Sequence, residues 1–183
     1  MGQPTPRTAT VLIGLRGSGK TTLGRLLAAR RGSEFIDLDD RTIAGSGHAT
    51  VSAFFRAAGE PAFREAEARA LARVLDEAAP GAVIALGGGT PTAPGVRELL
   101  ERARAAGRVR VVLLEAPAAV LGARLSAAPG DRPLLMGTDF AQEAALLGER
   151  RLPGYRAIAD AVVTTAGDAA ESLAELERRS VPG

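Results

Sequence analysis

Gly14-Leu15-Arg16-Gly17-Ser18-Gly19-Lys20-Thr21 is the stretch that decides how this chain is read. It matches G-x-x-x-x-G-K-[ST], a pattern with a direct physical meaning. Glycines let backbone N–H groups curl around phosphate oxygens with no side chain in the way. A helix starting just after the loop adds the positive end of its dipole. Lys20 then reaches the β- and γ-phosphates of a nucleotide, and the Thr21 hydroxyl ligates Mg²⁺. Gly17, Ser18, Gly19, Lys20, Thr21 and Thr22 are therefore the candidate nucleotide-binding residues. The bland alternative is a glycine-rich turn ahead of a helix. The flanks favour the loop. Residues 8–15 read as a short buried strand, and 22–31 as a helix with Leu23, Leu26 and Leu27 on one face and Gly32 as its stop.

Composition sharpens the reading of Lys20. Of the 23 Lys and Arg residues it is the only lysine. A compact ammonium and a planar guanidinium fork are not interchangeable in a tight site, so position 20 requires the point charge. The rest of the composition sets bounds. At 183 residues, 46% hydrophobic and 24% charged, the chain fits one soluble domain. With no cysteine, disulfides, thiolate metal sites and thiol catalysis are excluded. The N-terminal residues have no apolar signal core, and no apolar run is long enough to cross a membrane. A cytoplasmic monomer without membrane contact is expected. Nucleic-acid binding is not favoured, because the arginines are interspersed with carboxylates, the net charge is only +2 and aromatics are 3%.

Outward from the loop, short apolar segments alternate with helical ones. Strands are expected at 34–38, 82–86, 109–114 and 161–164, and helices at 60–79, 94–106, 117–125, 139–151 and 169–178. Pro61 fits the first turn of the 60–79 helix. Phe54, Phe55 and Phe63 are expected to pack the helices of residues 39–79 together. Residues 126–138 form a Gly/Pro-rich loop around Asp131-Arg132-Pro133. The alternation implies βαβ units: an α/β fold with a parallel sheet flanked by helices.

Several further segments stand in a recognisable order. Phe35-Ile36-Asp37-Leu38-Asp39 resembles the D-x-D strand end of shikimate kinases. Gly59-Glu60-Pro61-Ala62-Phe63-Arg64-Glu65-Ala66-Glu67 resembles that family's G-E-x-x-F-R-x-x-E segment. Gly87-Gly88-Gly89 resembles its triple glycine, Arg132-Pro133-Leu134-Leu135 its lid motif, and Arg151-Leu152-Pro153-Gly154-Tyr155 its R-x-P-x-Y segment. The likeness runs from about residue 11 to 163. It implies a P-loop fold like that of the nucleoside monophosphate kinases: a five-stranded parallel sheet, a substrate-binding helical segment at about 39–79 and a lid at about 126–138. The implied reaction moves the γ-phosphate of ATP, with Mg²⁺, to a hydroxyl of shikimate.

The resemblance assigns roles by position. Arg64 and Arg151 match the arginines that grip the substrate carboxylate, a task for which bidentate forks are suited. Glu67, three residues after Arg64 on the same helix face, is placed to orient it; a purely structural ion pair is the alternative. Asp39 matches the carboxylate that meets the substrate hydroxyls and accepts the reacting proton. Asp37 is assigned to the Mg²⁺ shell with Thr21. For both aspartates a helix N-cap or a solvated turn is the competing reading. Gly88 and Gly89 allow backbone approach to the substrate. Arg132 is expected to stabilise charge on the transferring phosphoryl group. Arg124, or its neighbour, is expected to stack on adenine. His48 is expected to be exposed and not catalytic.

Two departures bear on the acceptor pocket. Ile43 and Ala44 stand where the family spacing places Ile and Glu one residue earlier, which implies a one-residue insertion after Asp39. Gly154 replaces a common leucine. A kinase for another hydroxy acid such as gluconate, and a nucleotide-binding module without turnover, are the alternatives.

Overall fold

The computed structural model describes residues 8–129, 134 and 136–181. Five strands form one parallel sheet in the order β2-β3-β1-β4-β5. They are β1 (Ala9–Ile13), β2 (Phe35–Asp37), β3 (Val83–Ala85), β4 (Val109–Glu115) and β5 (Ala161–Thr164). All five residues of β1 are buried, as expected for a central parallel strand covered on both faces. Alternation along β1 divides the core. Val11 and Ile13 join Leu71, Ile84, Val111 and Leu113 on one face. Leu12 joins Leu27, Val112, Leu114, Leu173 and Leu176 on the other.

This strand order positions the site. The chain leaves β1 toward β2 and β3 on one side, and later returns to β4 on the other. Ligands bind outside the carboxyl ends of strands where the order reverses in this way. Three segments emerge there: the glycine-rich loop after β1, Asp37 to Asp39 at the end of β2, and the triple glycine after β3.

Among the described residues seven α-helices accompany the sheet: α1 (Lys20–Arg31), α2 (Leu38–Ala44), α3 (Val51–Glu77), α4 (Val96–Ala105), α5 (Ala118–Ala127), α6 (Phe140–Ile158) and α7 (Ala169–Arg179). α1 begins at Lys20, two residues earlier than expected, so the loop runs directly into the helix. α3 is two helices joined at Gly59, whose φ of 79° and ψ of 170° break the helical path. The second half therefore starts with Glu60 and Pro61, as the sequence indicates. The phenylalanines do pack these segments together. Phe54 meets Phe63 edge-on at 5.4 Å, and Phe55 lies 4.9 Å from Phe63.

Two expectations need correction. The helix expected to end at 151 continues to Ile158, with Pro153 inside it. Proline removes one backbone donor, which argued for a break. Tyr155 and Ile158 are 1% and 2% exposed, and their burial carries the helix past that defect. His48 is half-buried rather than exposed, its ring 4.7 Å from that of Phe54. Arg132, with residues 130, 131, 133 and 135 of its loop, lies outside the described residues.

Candidate active site

The phosphate loop is built from backbone geometry. Gly17 and Gly19 adopt φ of 77° and 91°, conformations that cost an L-side chain energy. Lys20 is nearly buried and donates to the carbonyl oxygens of Gly14 and Leu15, each at 2.8 Å. Its ammonium is thus folded over the loop it serves. The Thr21 hydroxyl donates to Asp37 Oδ2 at 3.0 Å. Asp37 also caps α2, its Oδ1 accepting from the Asp39 backbone N–H at 3.1 Å. The cap reading and the site reading of Asp37 therefore describe the same residue.

Beside the loop lies a cleft of about 520 Å³, lined by Gly17, Lys20, Thr21, Arg124, Thr165 and Ser172 among others. Arg124 clasps its two walls. It donates to Gly17 O at 3.2 Å and to Thr165 O at 2.5 Å. The buried Thr165 hydroxyl lies 3.0 Å from Ser18 O and 3.2 Å from Glu115 O, which ties the loop to the end of β5.

A second cluster is organised around the triple glycine, where all three residues are buried. Arg64, 8% exposed, is held from two directions. Glu67 Oε2 accepts from its Nη1 at 2.6 Å, and Glu60 Oε1 accepts from its Nε and Nη2 at 3.1 and 2.7 Å. The rings of Phe55 and Phe63 face its guanidinium at 5.9 and 5.8 Å. Burial alone would lower the pKa of Arg64, but the Glu67 and Glu60 carboxylates outweigh it and hold the cation above its ordinary value. Burial pushes the Glu67 carboxyl up, and Arg64 and Thr90 pull it only part of the way back.

Both candidate carboxylate-binding arginines reach the same turn. A Cβ on Gly89 would run into Arg64 Nη2. Arg151 Nη1 donates to Gly88 O at 3.1 Å. A Cβ on Gly88 would sit 3.1 Å from the backbone nitrogen of Arg16, so this turn also abuts the phosphate loop. A Cβ on Gly87 would meet Glu67 Oε1, Asp39 Oδ1 and Thr90 Oγ1 at 2.5, 2.7 and 2.8 Å. Asp39, Arg64 and Arg151 therefore gather around the triple-glycine turn, which abuts the phosphate loop at Arg16, while Thr21 and Asp37 are joined by their own hydrogen bond.

The model of the family described as shikimate kinase matches residues 16–179. The chain belongs to the shikimate kinase family. A relative named shikimate kinase from Thermobifida fusca is 41% identical over 96% of each chain. One of the same name from Paramagnetospirillum magneticum is 40% identical over 88% of this chain and 78% of its own. Among solved structures, the shikimate kinase of Acinetobacter baumannii in complex with shikimate aligns with a TM-score of 0.81 and 34% identity, covering 93% of this chain and 90% of that one. A gluconokinase from Sinorhizobium meliloti aligns at a TM-score of 0.56 and 20% identity, a likeness of fold alone.

Four side chains around these residues had no role assigned from the sequence, although Tyr155 was quoted in the R-x-P-x-Y segment. Tyr155 donates to Gly88 O at 2.9 Å, beside Arg151. Its place four residues after Arg151 was the signal, obscured by Pro153 between them. Thr90 donates to Glu67, and Thr165 braces the loop; neither has a sequence signal. Glu143, almost fully buried, lies 3.5 Å from the Arg16 guanidinium, which also donates to Pro129 O. That pair spans about 127 residues of sequence, and only the fold brings it together.

Proposed function

We propose that this chain phosphorylates the 3-hydroxyl of shikimate with ATP, using the cleft between the phosphate loop and the triple glycine. The observation that supports it most is the convergence of Arg64 and Arg151 on Gly89 and Gly88, with Arg16 of the phosphate loop against the same turn. Two guanidinium groups fix a carboxylate in position and orientation. The acceptor ring then stands between them and the γ-phosphate.

In this reading Asp39 lies beside the reacting hydroxyl and accepts its proton as the oxygen attacks phosphorus. A bond forms from that oxygen to the γ-phosphorus, and the bond to the β,γ-bridging oxygen breaks, leaving ADP. Lys20 moves from the Gly14 and Leu15 carbonyls to the phosphates, where its charge offsets that of the transferring group. Arg132 is assigned to the same charge by the family motif. Thr21 and Asp37 offer hard oxygen donors 3.0 Å apart at the mouth of the loop, a donor set that suits Mg²⁺. When bound, that ion neutralises the β- and γ-phosphate oxygens. Arg124 borders the cleft where a base would lie. Residues 39–79 supply Asp39 and Arg64, and are the acceptor-binding segment.

The test is direct. Purified protein with ATP, Mg²⁺ and shikimate should release ADP and yield shikimate 3-phosphate, identified by phosphorus NMR. Gluconate and nucleosides run in parallel should give background release only. ADP release that depends on gluconate but not on shikimate would move the acceptor assignment to another hydroxy acid.

A further inference from the structure

Thr90 follows the triple glycine and is fully buried. Its backbone is fixed on both sides. Its N–H donates to Gly87 O at 3.1 Å, and its carbonyl accepts from Ala93 at 2.9 Å. Its hydroxyl donates to Glu67 Oε1 at 2.5 Å. Glu67 is itself 0% exposed, and its other oxygen accepts from Arg64 at 2.6 Å. One line of hydrogen bonds therefore runs from a rigid turn, through a buried carboxylate, to a guanidinium beside Gly89.

A buried carboxylate needs donors at both oxygens, or it takes up a proton or turns away. The groups that face Glu67 can be named. Arg64 comes from its own helix, Thr90 from the turn after β3, Asp39 from the start of α2 and Tyr155 from α6. Asp39 carries like charge and opposes ionisation of Glu67. Of these four groups, only Arg64 and Thr90 donate to Glu67 in the hydrogen bonds described. Removing one of them shifts the balance at a charge with little solvent to compensate.

We propose that Thr90 is a positioning residue for the acceptor carboxylate, holding Glu67 ionised and oriented so that Arg64 stays aimed at the substrate. The inference rests on the shikimate reading above. Thr90 touches neither substrate nor nucleotide in this account; its effect passes through Glu67.

The experiment compares Thr90→Val, which keeps the shape and loses the donor, with Thr90→Ser, which keeps the donor. KM for shikimate, KM for ATP and kcat are measured from pH 5.5 to 8.5. Thr90→Val should raise KM for shikimate on the order of tenfold, the worth of a hydrogen bond to a charged group, while KM for ATP and kcat stay within about twofold. Its acid limb of kcat/KM for shikimate should move to higher pH, because Glu67 takes up a proton sooner. Thr90→Ser should restore wild-type values. Thr90→Ala removes the donor without a branched side chain, and repeats the test should the valine variant fail to fold. Wild-type KM and pH profile in the valine or alanine variant would overturn the proposal, as would equal losses for both substrates. Wild-type protein that turns over ATP with another acceptor but not shikimate would overturn the shikimate reading and this inference together. An active wild type with unaffected Thr90 variants overturns this inference alone.

Discussion

Arg151 and Tyr155 stand one turn apart on α6, and both donate to the same carbonyl oxygen, that of Gly88, at 3.1 and 2.9 Å. The pairing ties the far end of a helix to the turn after β3. It also places a phenol, 1% exposed, between two arginines and a buried glutamate. Burial pushes the Tyr155 hydroxyl from its ordinary value of 10.0 up to about 12, although the nearby Arg151 and Arg64 charges work in the other direction.

An alkaline stability loss follows from that shift. Below pH 10 both folded and unfolded tyrosine are neutral, and the hydrogen bond to Gly88 contributes fully. Between pH 10 and 12 the unfolded chain loses its proton first, so stability falls as pH rises, by about 2–3 kcal/mol in all. Tyr155→Phe lacks this titration. It should be about 1 kcal/mol less stable than wild type at pH 8, having lost one hydrogen bond. The gap should close and then reverse as pH approaches 12. Denaturant melts of both proteins from pH 8 to 11.5 measure it, and a gap that stays constant would show that the hydroxyl titrates normally.

Arg64 and Arg151 should behave differently when truncated, although both are assigned to one carboxylate. Arg64→Ala strands Glu67, which is 0% exposed, and should cost about 3–5 kcal/mol of stability as well as acceptor binding. Arg151 is half-buried and its described hydrogen bond goes to one backbone carbonyl, which Tyr155 also satisfies. Arg151→Ala should keep nearly all of its thermal stability while KM for shikimate rises about 10- to 100-fold. Thermal melts beside steady-state kinetics separate the two. A stable Arg64→Ala protein would mean that Glu67 finds another partner.

Lys20→Met should fold, since α1 and its packing do not depend on the ammonium. The Gly14 and Leu15 carbonyls lose a shared donor, a cost of about 1–2 kcal/mol. Turnover should fall by at least about 10²- to 10³-fold, the loss typical of removing one group that stabilises transition-state charge. Shikimate binding, measured calorimetrically without nucleotide, should change little. Retention of more than a tenth of wild-type kcat would contradict the role given to this lysine.

How much of this was legible in the sequence depends on the range of each interaction. The phosphate loop is local: glycine conformations, lysine and threonine follow one another within eight residues, so Gly14 to Thr21 could be read directly. The central strands were legible because buried parallel strands are continuous apolar runs, and the edge strand 161–164, in which only Val163 is buried, was placed to the residue. The pairing of Arg64 with Glu67 was legible because three residues on a helix share a face. The extent of α6 was not, because Pro153 is a local signal for a break that tertiary burial of Tyr155 and Ile158 overrides. Contacts such as Arg16 with Glu143, or Thr165 with Ser18, join residues more than a hundred apart and leave no periodicity to read. Asp37 shows a further limit. The helix cap is present, and because the other oxygen faces Thr21 the cap leaves the proposed site role open to the same residue.

Thr165 offers a test of whether the nucleotide and acceptor sites can be perturbed separately. Its hydroxyl is the buried group that joins β5 to the phosphate loop, at 3.0 Å from Ser18 O. Thr165→Val keeps the shape and leaves that carbonyl without its donor, an unsatisfied group worth about 1–3 kcal/mol. The loop backbone around Ser18 then loses a restraint at the point where phosphate would sit. Arg124, which donates to Gly17 O and Thr165 O, shares the same frame and would carry the disturbance into the adjoining cleft. KM for ATP should therefore rise about 3- to 30-fold, and KM for shikimate should stay near wild type, because the Arg64 and Arg151 anchors lie on the other side of the loop. Fluorescent nucleotide titration beside acceptor titration gives both numbers from one preparation. An equal rise in both constants would mean that the loop moves as one body with the triple glycine against which Arg16 packs.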